Sequence, residues 1–551
     1  MEFSITLALC LTFLIGAQAK VPVDDQFRVV NEGGYTDYSP IEYNPDVRGF
    51  QPFNDNFRLC FYNTTPNAYT LALRIGNRAQ ESTLRWVWEA NRGSPVKENA
   101  TLTFGEDGNL VLADADDRLV WQTNTANKGA VGIKILENGN MVIYDATGKF
   151  IWQSFDSPTD TLLVGQSLKR SGRNKLVSRL SRTVNTNGPY SLVMEDKKLV
   201  LYYTTNKTPK PIAYYDYEFF TKITQLQSMT FQAVEDSDST WGLHMEGVDS
   251  GSQFNVSTFL SRPKHNATLS FIRLESDGNV RVWSYSTLAT STAWDVTYTA
   301  FTNDDTDGND ECRIPEHCLN FGLCKKGQCN ACPTDKGLLG WDETCKTPGL
   351  TSCDPKTFHY FKIEGADSFM TKYNGGSSAT EKACGDKCTS DCKCLGFFYN
   401  RKSSRCWLGY ELKTMIRTGD ASLVAYVKAP NAIKNNKSAR PMNKMENWSI
   451  SEFVEEDLST SDLVEEDWCI PEIQEAREKR DKIDRERERE REMMMRKPPL
   501  SVAESEQMRQ EALRIIAACG LYPAEEEIKS AREKERSTNA PNRANDTRAS
   551  D

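Results

Sequence analysis

Polar side chains at alternate positions occur in a segment that the chain contains twice. The segment EDGNLVLADADDRLVWQ, residues 106–122, returns 31 residues later as ENGNMVIYDATGKFIWQ, residues 137–153. Alternate residues of a β-strand point to one face, where amide, carboxylate and phenol groups can hydrogen-bond the hydroxyls of a sugar. The residues at these alternate positions are Asn138, Asn140, Val142 and Tyr144 in the second copy and Asp107, Asn109 and Val111 in the first.

The repeated segment has the pattern of a β-hairpin. In each copy Gly-Asn opens a short alternating strand, a polar turn follows at 114–117 or 145–148, and a second strand ends on tryptophan. An earlier tryptophan, Trp88, stands 33 residues before Trp121, and Trp152 stands 31 residues after it. Because one hairpin cannot bury its own apolar face, this spacing predicts three similar sheets, each with one tryptophan at a shared axis.

These residues resemble the bulb-type (mannose-binding) lectins of plants, and the resemblance implies a β-prism built from three sheets. The sugar motif of that family reads Gln-x-Asp-x-Asn-x-Val-x-Tyr, and no copy in this chain is complete. The resemblance implies that the candidate sugar-binding residues are Asn138, Asn140, Val142, Tyr144, Asp107, Asn109 and Val111. Each missing polar partner removes about 1 kcal/mol net, so two losses would abolish a weak monosaccharide site. The departures are Gly105 and Ala113 in the first copy, Leu136 and Asn138 in the second, Met194 and Lys198 in the third (194–202), and Glu275, Arg281 and Trp283 in the fourth (275–283).

The motif residues have two readings. One interpretation is that the second copy of the repeat keeps the best sugar site, since it alone has Tyr beside Asn and Val. The other interpretation is that these polar residues only shape the turn before each strand, where Asp, Asn and Gly are favoured. They are Asp107, Asn109, Asn138 and Asn140. The sequence leaves both open.

Twelve of the sixteen cysteines lie between residues 312 and 406, in two clusters. Dense, even-numbered cysteines in a secreted chain predict disulfides, and the C-x2-C…C-x2-C spacing of zinc sites is absent, although His317 stands beside Cys318. No metal or cofactor is predicted, and Cys60 is either a buried thiol or the link to another chain. The predicted disulfide cysteines are Cys312, Cys318, Cys324, Cys329, Cys332 and Cys345 in the first cluster and Cys353, Cys384, Cys388, Cys392, Cys394 and Cys406 in the second.

The first cluster resembles an EGF-like module, and the second, with CGDKCTSDCKC, resembles the PAN/apple domain of plant S-domain proteins. Cysteines at i, i+4 and i+8 predict three thiols on one helix face, and the alternating LVAYVK at 423–428 predicts a closing strand. The PAN resemblance implies the pairs Cys384–Cys406, Cys388–Cys394 and Cys353–Cys392.

The order of these parts is that of the S-locus glycoproteins. FRLCFYNTTPNAYTLALRIGN and WQSFDSPTDTLL resemble most closely the epidermis-specific secreted glycoproteins of plants, which share that order without a kinase; the resemblance spans about residues 24–428. It implies a mainly β protein with two tandem β-prisms, disulfide-rich EGF-like and α+β PAN modules, and an unrelated extension. The predicted parts are a signal peptide (1–19), an N-terminal arm (20–57), a bulb-type lectin domain (58–170), a second, diverged lectin-like domain (171–303), an EGF-like module (311–346), a PAN/apple domain (353–428) and a charged, partly helical or disordered extension (429–551).

Export and glycosylation follow from short sequence signals. The apolar run at 5–15 and the small residues of Ala17-Gln18-Ala19 are typical of a signal peptide, with a buried N-terminal helix as the alternative. The sequence contains no later run of about 18 apolar residues, so no membrane span is predicted. We therefore expect a secreted glycoprotein of the apoplast or cell wall. The Asn-x-Ser/Thr glycosylation signals are Asn63, Asn99, Asn206, Asn255 and Asn266.

The composition changes abruptly after Pro430. Acidic repeats lead into EIQEAREKRDKIDREREREREMMMRK, which predicts a charged helix with i,i+4 Glu/Arg pairs. Two origins stay open: a separate intracellular reading frame joined to a secreted protein, or a natural disordered tail with helical segments.

Binding fits the chain better than catalysis. Its four histidines lie in no nucleophile or metal motif, and it has no Gly-x-Ser-x-Gly, His-Glu-x-x-His or phosphate-loop sequence. Up to residue 440 it has no basic block that would indicate nucleic acid. The lectin resemblance implies mannose-type glycans or cell-wall polysaccharide as ligands. The alternative is a scaffold that binds extracellular proteins through its PAN and EGF-like modules without binding sugar.

Overall fold

The computed structural model describes residues 19–431 apart from short segments. The predicted signal peptide up to residue 18, the extension from residue 432 onward and the glycosylation signal at Asn266 lie outside the described residues. The segments left out are 36–41, 43–45, 77–83, 208–209, 219–223, 234–240, 250, 262–268, 286–293, 304–309, 335–336, 342–344, 346–349 and 351.

The first β-prism consists of three antiparallel sheets, in the orders β1-β6-β7-β8, β2-β3-β4-β5 and β9-β10-β11. Buried and half-buried residues alternate in β6 and β7, so each strand buries one face and exposes part of the other. Its strands are β1 (Phe27–Val30), β2 (Asp46–Phe53), β3 (Phe57–Thr65), β4 (Ala68–Ile75), β5 (Arg85–Glu89), β6 (Thr101–Phe104), β7 (Leu110–Ala113), β8 (Leu119–Gln122), β9 (Ala130–Ile135), β10 (Met141–Asp145) and β11 (Phe150–Gln153).

The second β-prism also has three antiparallel sheets, in the orders β14-β15-β16-β17, β13-β18-β19-β20 and β12-β21-β22-β23. The two predicted tandem prisms are thus confirmed. Its strands are β12 (Thr161–Leu163), β13 (Ser167–Lys169), β14 (Lys175–Arg179), β15 (Asn187–Met194), β16 (Lys198–Tyr203), β17 (Ile212–Glu218), β18 (Gln225–Ala233), β19 (Trp241–Asp249), β20 (Ser252–Ser261), β21 (Leu269–Leu274), β22 (Val280–Tyr285) and β23 (Trp294–Thr299).

The C-terminal modules share their sheets. The strand order β26-β25-β24-β32-β28 joins the first cysteine cluster to the second, and β27-β33-β30-β31-β29 forms the sheet that faces the helix α1. The elements are β24 (Leu323–Lys325), β25 (Gln328–Thr334), β26 (Gly337–Gly340), β27 (Phe358–Glu364), β28 (Ala366–Ser368), β29 (Ser377–Ser378), α1 (Glu381–Ser390), β30 (Gly396–Asn400), β31 (Arg405–Gly409), β32 (Met415–Arg417) and β33 (Leu423–Pro430).

The sheets place two domain boundaries at other residues than the sequence predicts. Strands β1 and β2, in the expected arm of residues 20–57, belong to the first prism, and β12 and β13, before residue 171, belong to the second. Phe27 pairs with Phe104 and Thr161 with Arg273. An internal repeat cannot reveal such strands, because each pairs with a partner distant in the sequence.

Two apolar cores hold these parts together. One fills the first prism and also contains Phe271 and Trp294 of the second. The other runs without a break from the second prism into the cysteine-rich modules, where it contains Phe321, Phe369 and Met415. Within the part of the chain that the structure describes, no helix has both the length and the apolar character that crossing a membrane requires.

Candidate functional site

The candidate sugar residues begin with a turn that each copy repeats. The backbone N–H of Asn109 donates to Asp107 Oδ1 at 3.0 Å, and that of Asn140 donates to Asn138 Oδ1 at 3.2 Å. The intervening Gly108 has a left-handed φ of 74°, which a residue with a side chain rarely adopts. Asp107 and Asn138 are exposed but use one oxygen inside the turn, as turn-forming residues do.

The asparagine that follows each turn is buried, and both its amide oxygen and its amide nitrogen hydrogen-bond to the protein. Asn140 is 4% exposed, and its Nδ2 donates to Gln153 Oε1 at 2.8 Å. Its Oδ1 accepts from the Ser154 hydroxyl at 3.4 Å and from Phe155 N at 3.3 Å. These bonds connect the start of β10 to the last residue of β11 and the two residues that follow it. We call this arrangement the asparagine clamp.

The first copy builds the same clamp. Asn109 is 7% exposed, and its Nδ2 donates to Gln122 Oε1 at 2.8 Å. Its Oδ1 accepts from the Thr123 hydroxyl and from Thr125 N, each at 3.1 Å. The side-chain amide of Asn109 therefore hydrogen-bonds to the protein in this copy as well.

The fourth copy has a clamp, and the third replaces it. Asn279 is fully buried, donates to Phe301 O at 2.9 Å and accepts from Phe301 N at 3.1 Å. In the third copy Lys198 stands in the asparagine position and forms an ion pair with Asp216 at 2.8 Å. Three of four copies thus keep the clamp.

The apolar members of the motif offer little surface. Val142 is fully buried, and Val111 is half-buried. The phenol of Tyr144 lies against Gly132, where a Cβ would come within 2.6 Å of the hydroxyl oxygen, and Lys134 Nζ lies 4.8 Å from its ring centroid. Of the second-copy candidates, Asn138 is exposed and Tyr144 half-buried.

The three tryptophans meet at the axis of the first prism, as their spacing predicts. The ring centroids of Trp88, Trp121 and Trp152 lie 5.8–6.2 Å apart, and all three pairs are edge-to-face. Each ring comes from a different sheet, through β5, β8 and β11. The prediction of one tryptophan per sheet is confirmed.

A cavity of about 580 Å³ opens beside this tryptophan triad. The triad and Gln122 line it from the first prism, and residues of β14 and the preceding turn line it from the second. Trp88 Nε1 donates to Ser157 O at 3.0 Å. Within the described chain, Trp121 and Trp152 donate their Nε1–H groups to no protein atom. No sequence pattern predicts this cavity, because its two walls belong to different prisms.

Buried ion pairs join the two prisms at the wall of the cavity. Arg92 contacts Glu89 at 2.6 Å and Asp160 at 2.8 Å, and Arg179 contacts both carboxylates at 3.3 Å. The side chains of these four residues are at most 7% exposed. We call them, with the next pair, the inter-prism ion network.

A second pair extends this network. Arg273 contacts Glu42 at 2.7 Å, and Arg85 contacts the same carboxylate at 3.4 Å. Arg273 also donates to Trp86 O and, at 3.2 Å, to the Thr161 hydroxyl. Sequence reasoning did not identify these residues. A signal was present, since Arg273 interrupts the otherwise apolar run Phe271–Leu274.

The network lowers the pKa of two of its carboxyl groups. Burial alone would raise the pKa of Glu42, but the positive charges of Arg273, Arg85 and Arg179 outweigh it and hold that pKa below its ordinary value. Burial would likewise raise the pKa of Asp160, and Arg92, Arg179 and Arg273 hold it well below the usual range. Both groups are therefore more acidic in the folded protein than in the unfolded chain.

We expect acid to destabilise the protein. A carboxyl whose pKa is lowered by folding stabilises the native state above its unfolded pKa, and that contribution is lost as the pH falls through the folded pKa. The ordinary values are 4.5 for Glu42 and 3.8 for Asp160, so the free energy of unfolding should fall steadily below about pH 4.5. Urea unfolding at pH 6, 5, 4 and 3, followed by tryptophan fluorescence, measures it. Asp160→Asn should flatten the decline, and an equal slope in that variant would contradict the assignment.

The cysteines form six disulfides in the described residues. The pairs in the second cluster, Cys353–Cys392, Cys384–Cys406 and Cys388–Cys394, are those that the PAN resemblance implies. The first cluster pairs Cys312–Cys324, Cys318–Cys329 and Cys332–Cys345.

Two details of the cysteine predictions change. The helix α1 ends at Ser390, so it carries Cys384 and Cys388 but not Cys392. The expected face of three thiols is wrong, because the helix stops where Cys392 turns toward Cys353. Cys60 is fully buried in a cluster with Tyr62 and Trp86, which fits a buried thiol better than a link to another chain.

The described glycosylation signals differ in accessibility. Asn99, Asn206 and Asn255 are exposed. Asn63 is 6% exposed and accepts a hydrogen bond from Asp46 N at 3.2 Å, so its amide nitrogen is the least accessible of the four.

Comparison with known proteins places the chain. A family model described as D-mannose binding lectin matches residues 85–184. EP1-like glycoprotein 3 of Arabidopsis thaliana is 91% identical over 439 residues, which are 79% of this chain and 100% of that protein. EP1-like glycoprotein 4 of Arabidopsis thaliana is 89% identical, over 80% of this chain and 100% of that protein. Epidermis-specific secreted glycoprotein EP1 of Daucus carota is 51% identical, over 66% of this chain and 98% of that protein.

Proposed function

Because the chain belongs to the family of EP1-like glycoproteins, we propose that it is a secreted, lectin-like glycoprotein of the plant cell wall. Its carbohydrate-binding fold is inherited from mannose-type lectins. In this proposal the copies of the mannose motif stabilise the fold and do not bind a sugar. Binding to cell-wall carbohydrate occurs on other surfaces.

The asparagine clamp carries this proposal. A mannose site of this type needs the asparagine amide to face the sugar. In Asn109 and Asn140, however, the amide oxygen and nitrogen both hydrogen-bond to protein atoms. Turning either amide toward a ligand would leave buried groups such as Phe155 N without a partner, at a cost of about 1–3 kcal/mol each. A weak sugar contact does not offset that cost.

We expect Asn140→Ala to lower stability and to leave carbohydrate binding unchanged. The free energy of unfolding should fall by about 1–3 kcal/mol, because Phe155 N and the Ser154 hydroxyl lose their acceptor in a buried site. Urea unfolding measures the loss, and chromatography on mannan and an array of cell-wall glycans measure binding. The wild type and the variant should pass the mannan column alike and share one array profile.

Asn330→Ala is the matched control, since Asn330 is exposed and its loss should change stability by about 0.5 kcal/mol or less. Retention of the wild type on mannan together with release of Asn140→Ala would overturn the proposal, because the asparagine would then serve the sugar.

The second candidate function is a scaffold for extracellular proteins. The continuous core of the second prism and the cysteine-rich modules favours it, because that core makes one body of three modules. Strands β24 and β32, from different cysteine clusters, even pair in one sheet. If no glycan on the array binds the wild-type protein, this function replaces the first.

A further inference from the structure

We infer that the cavity beside the tryptophan triad is a binding site for an acidic saccharide, an oligosaccharide of uronic acid residues. The inference rests on the proposed carbohydrate-binding function but uses none of the motif residues. It assigns the ligand to a place that exists only where the two prisms meet.

The cavity has the size and the floor that a saccharide needs. Its volume of about 580 Å³ lies within the range of roughly 300–1,000 Å³ typical of small-ligand sites. Trp121 and Trp152 are half-buried and line it. A sugar ring presents C–H groups on its faces, and an indole ring packs against such a surface while its N–H donates to an oxygen.

Several polar groups around the cavity can donate hydrogen bonds to a ligand. The Nε1–H groups of Trp121 and Trp152 donate to no atom of the described chain, so both can serve a ligand. Gln122 Oε1 already accepts from Asn109 at 2.8 Å, which leaves its amide NH2 to donate. Asn124 and Asn187 are exposed on the same lining. Such a lining fits a ligand rich in acceptor oxygens.

The charge of the lining indicates that some of those oxygens are carboxylates. Arg92 and Glu89 pair with each other at 2.6 Å and belong to the inter-prism ion network. Arg173 and Lys175 are exposed on the second-prism wall, and neither forms an ion pair with a described residue. A guanidinium holds a carboxylate through two parallel hydrogen bonds, and a nearby ammonium adds a third. Two cations that pair with no described carboxylate, on the same lining as the indole rings, therefore favour an acidic sugar over a neutral one.

The test measures binding of an α-1,4-linked trimer of galacturonate to the full-length protein by calorimetry. The matched probe is the same trimer with its carboxylates reduced to primary alcohols. We expect the acidic trimer to bind at least about tenfold more tightly than the reduced one, because the reduced trimer loses the charge-assisted bonds.

The double variant Arg173→Gln/Lys175→Gln removes the two cations and should raise Kd for the acidic trimer at least about tenfold. The control Lys387→Gln/Lys393→Gln removes the same charge from exposed positions of the PAN domain and should leave Kd unchanged. Trp152→Phe keeps an aromatic ring but loses the N–H, and should weaken binding about threefold to tenfold.

The outcomes separate this inference from the proposed function. Equal binding of the acidic trimer to the wild type and the Arg173/Lys175 double variant would overturn the site. Binding of neutral glycans on the array without binding of the acidic trimer would overturn the inference and leave the proposed function standing. Absence of binding to any glycan would overturn both.

Discussion

Replacing Asp160 with alanine should lower the free energy of unfolding by about 3–5 kcal/mol, the usual cost of removing one partner from a buried ion pair. The carboxylate is 2% exposed and is shared by Arg92 at 2.8 Å and Arg179 at 3.3 Å. Without it, Arg92 and Arg179 lose one of the two carboxylates that they share and keep the other, Glu89. The loss therefore comes from buried positive charge left without compensation, more than from the broken contacts themselves.

Urea unfolding of the full chain at neutral pH measures this effect. Asp156→Ala is the matched control, because Asp156 forms an ion pair with Lys169 at 3.1 Å in which both side chains are about half exposed. Such a surface pair contributes at most about 1 kcal/mol. Asp160→Asn, which keeps the volume of the side chain, separates charge from packing. A loss below about 1 kcal/mol in both Asp160 variants would show that the network does not hold the prisms together.

Trp88→Ala should cost about 3–5 kcal/mol, as do other truncations of a buried aromatic side chain. Trp88 is 4% exposed and contacts both other rings of the tryptophan triad at centroid distances of 5.8 and 6.2 Å. Its removal opens a space at the point where the three sheets meet, and no neighbouring backbone can close it without moving a whole sheet. Each sheet of the first prism is anchored by one ring, so all three sheets lose a contact.

Thermal and urea unfolding measure the loss, with Trp88→Phe as the control that keeps a ring at the axis. We expect that control to lose less than half as much, since a smaller ring still fills most of the space. If the alanine variant unfolds within about 1 kcal/mol of the wild type, the triad is not the centre of the first prism.

Much of the fold follows from local pattern. The period-two alternation around residues 110 and 141 predicts the hairpins β7–β8 and β10–β11, and the equal spacing of the tryptophans predicts their common axis. The alternating segment at 423–428 predicts β33, which lies between β27 and β30. In each case the information lies within a few residues, or in a repeat that the chain shows openly.

The rest depends on contacts between distant parts of the chain. Glu42 and Arg273 are 231 positions apart, and no local pattern connects them. Alternation places Val142 on the face of Asn140, but it does not tell whether that face is covered, and Val142 is fully buried. The second-copy sugar site therefore stays a prediction from sequence that the burial of two of its four residues does not favour.

The asparagine clamp has a consequence for how such a chain can evolve. A residue held only by its ligand is lost when the ligand is no longer used, whereas a residue needed for folding stays under selection. The Gln and Tyr positions of the motif vary among the copies, while Asn109, Asn140 and Asn279 persist inside their clamps. Under the proposed function, a relic of sugar recognition therefore outlasts the recognition itself. Surveys that infer sugar binding from this asparagine alone will count proteins that only fold with it.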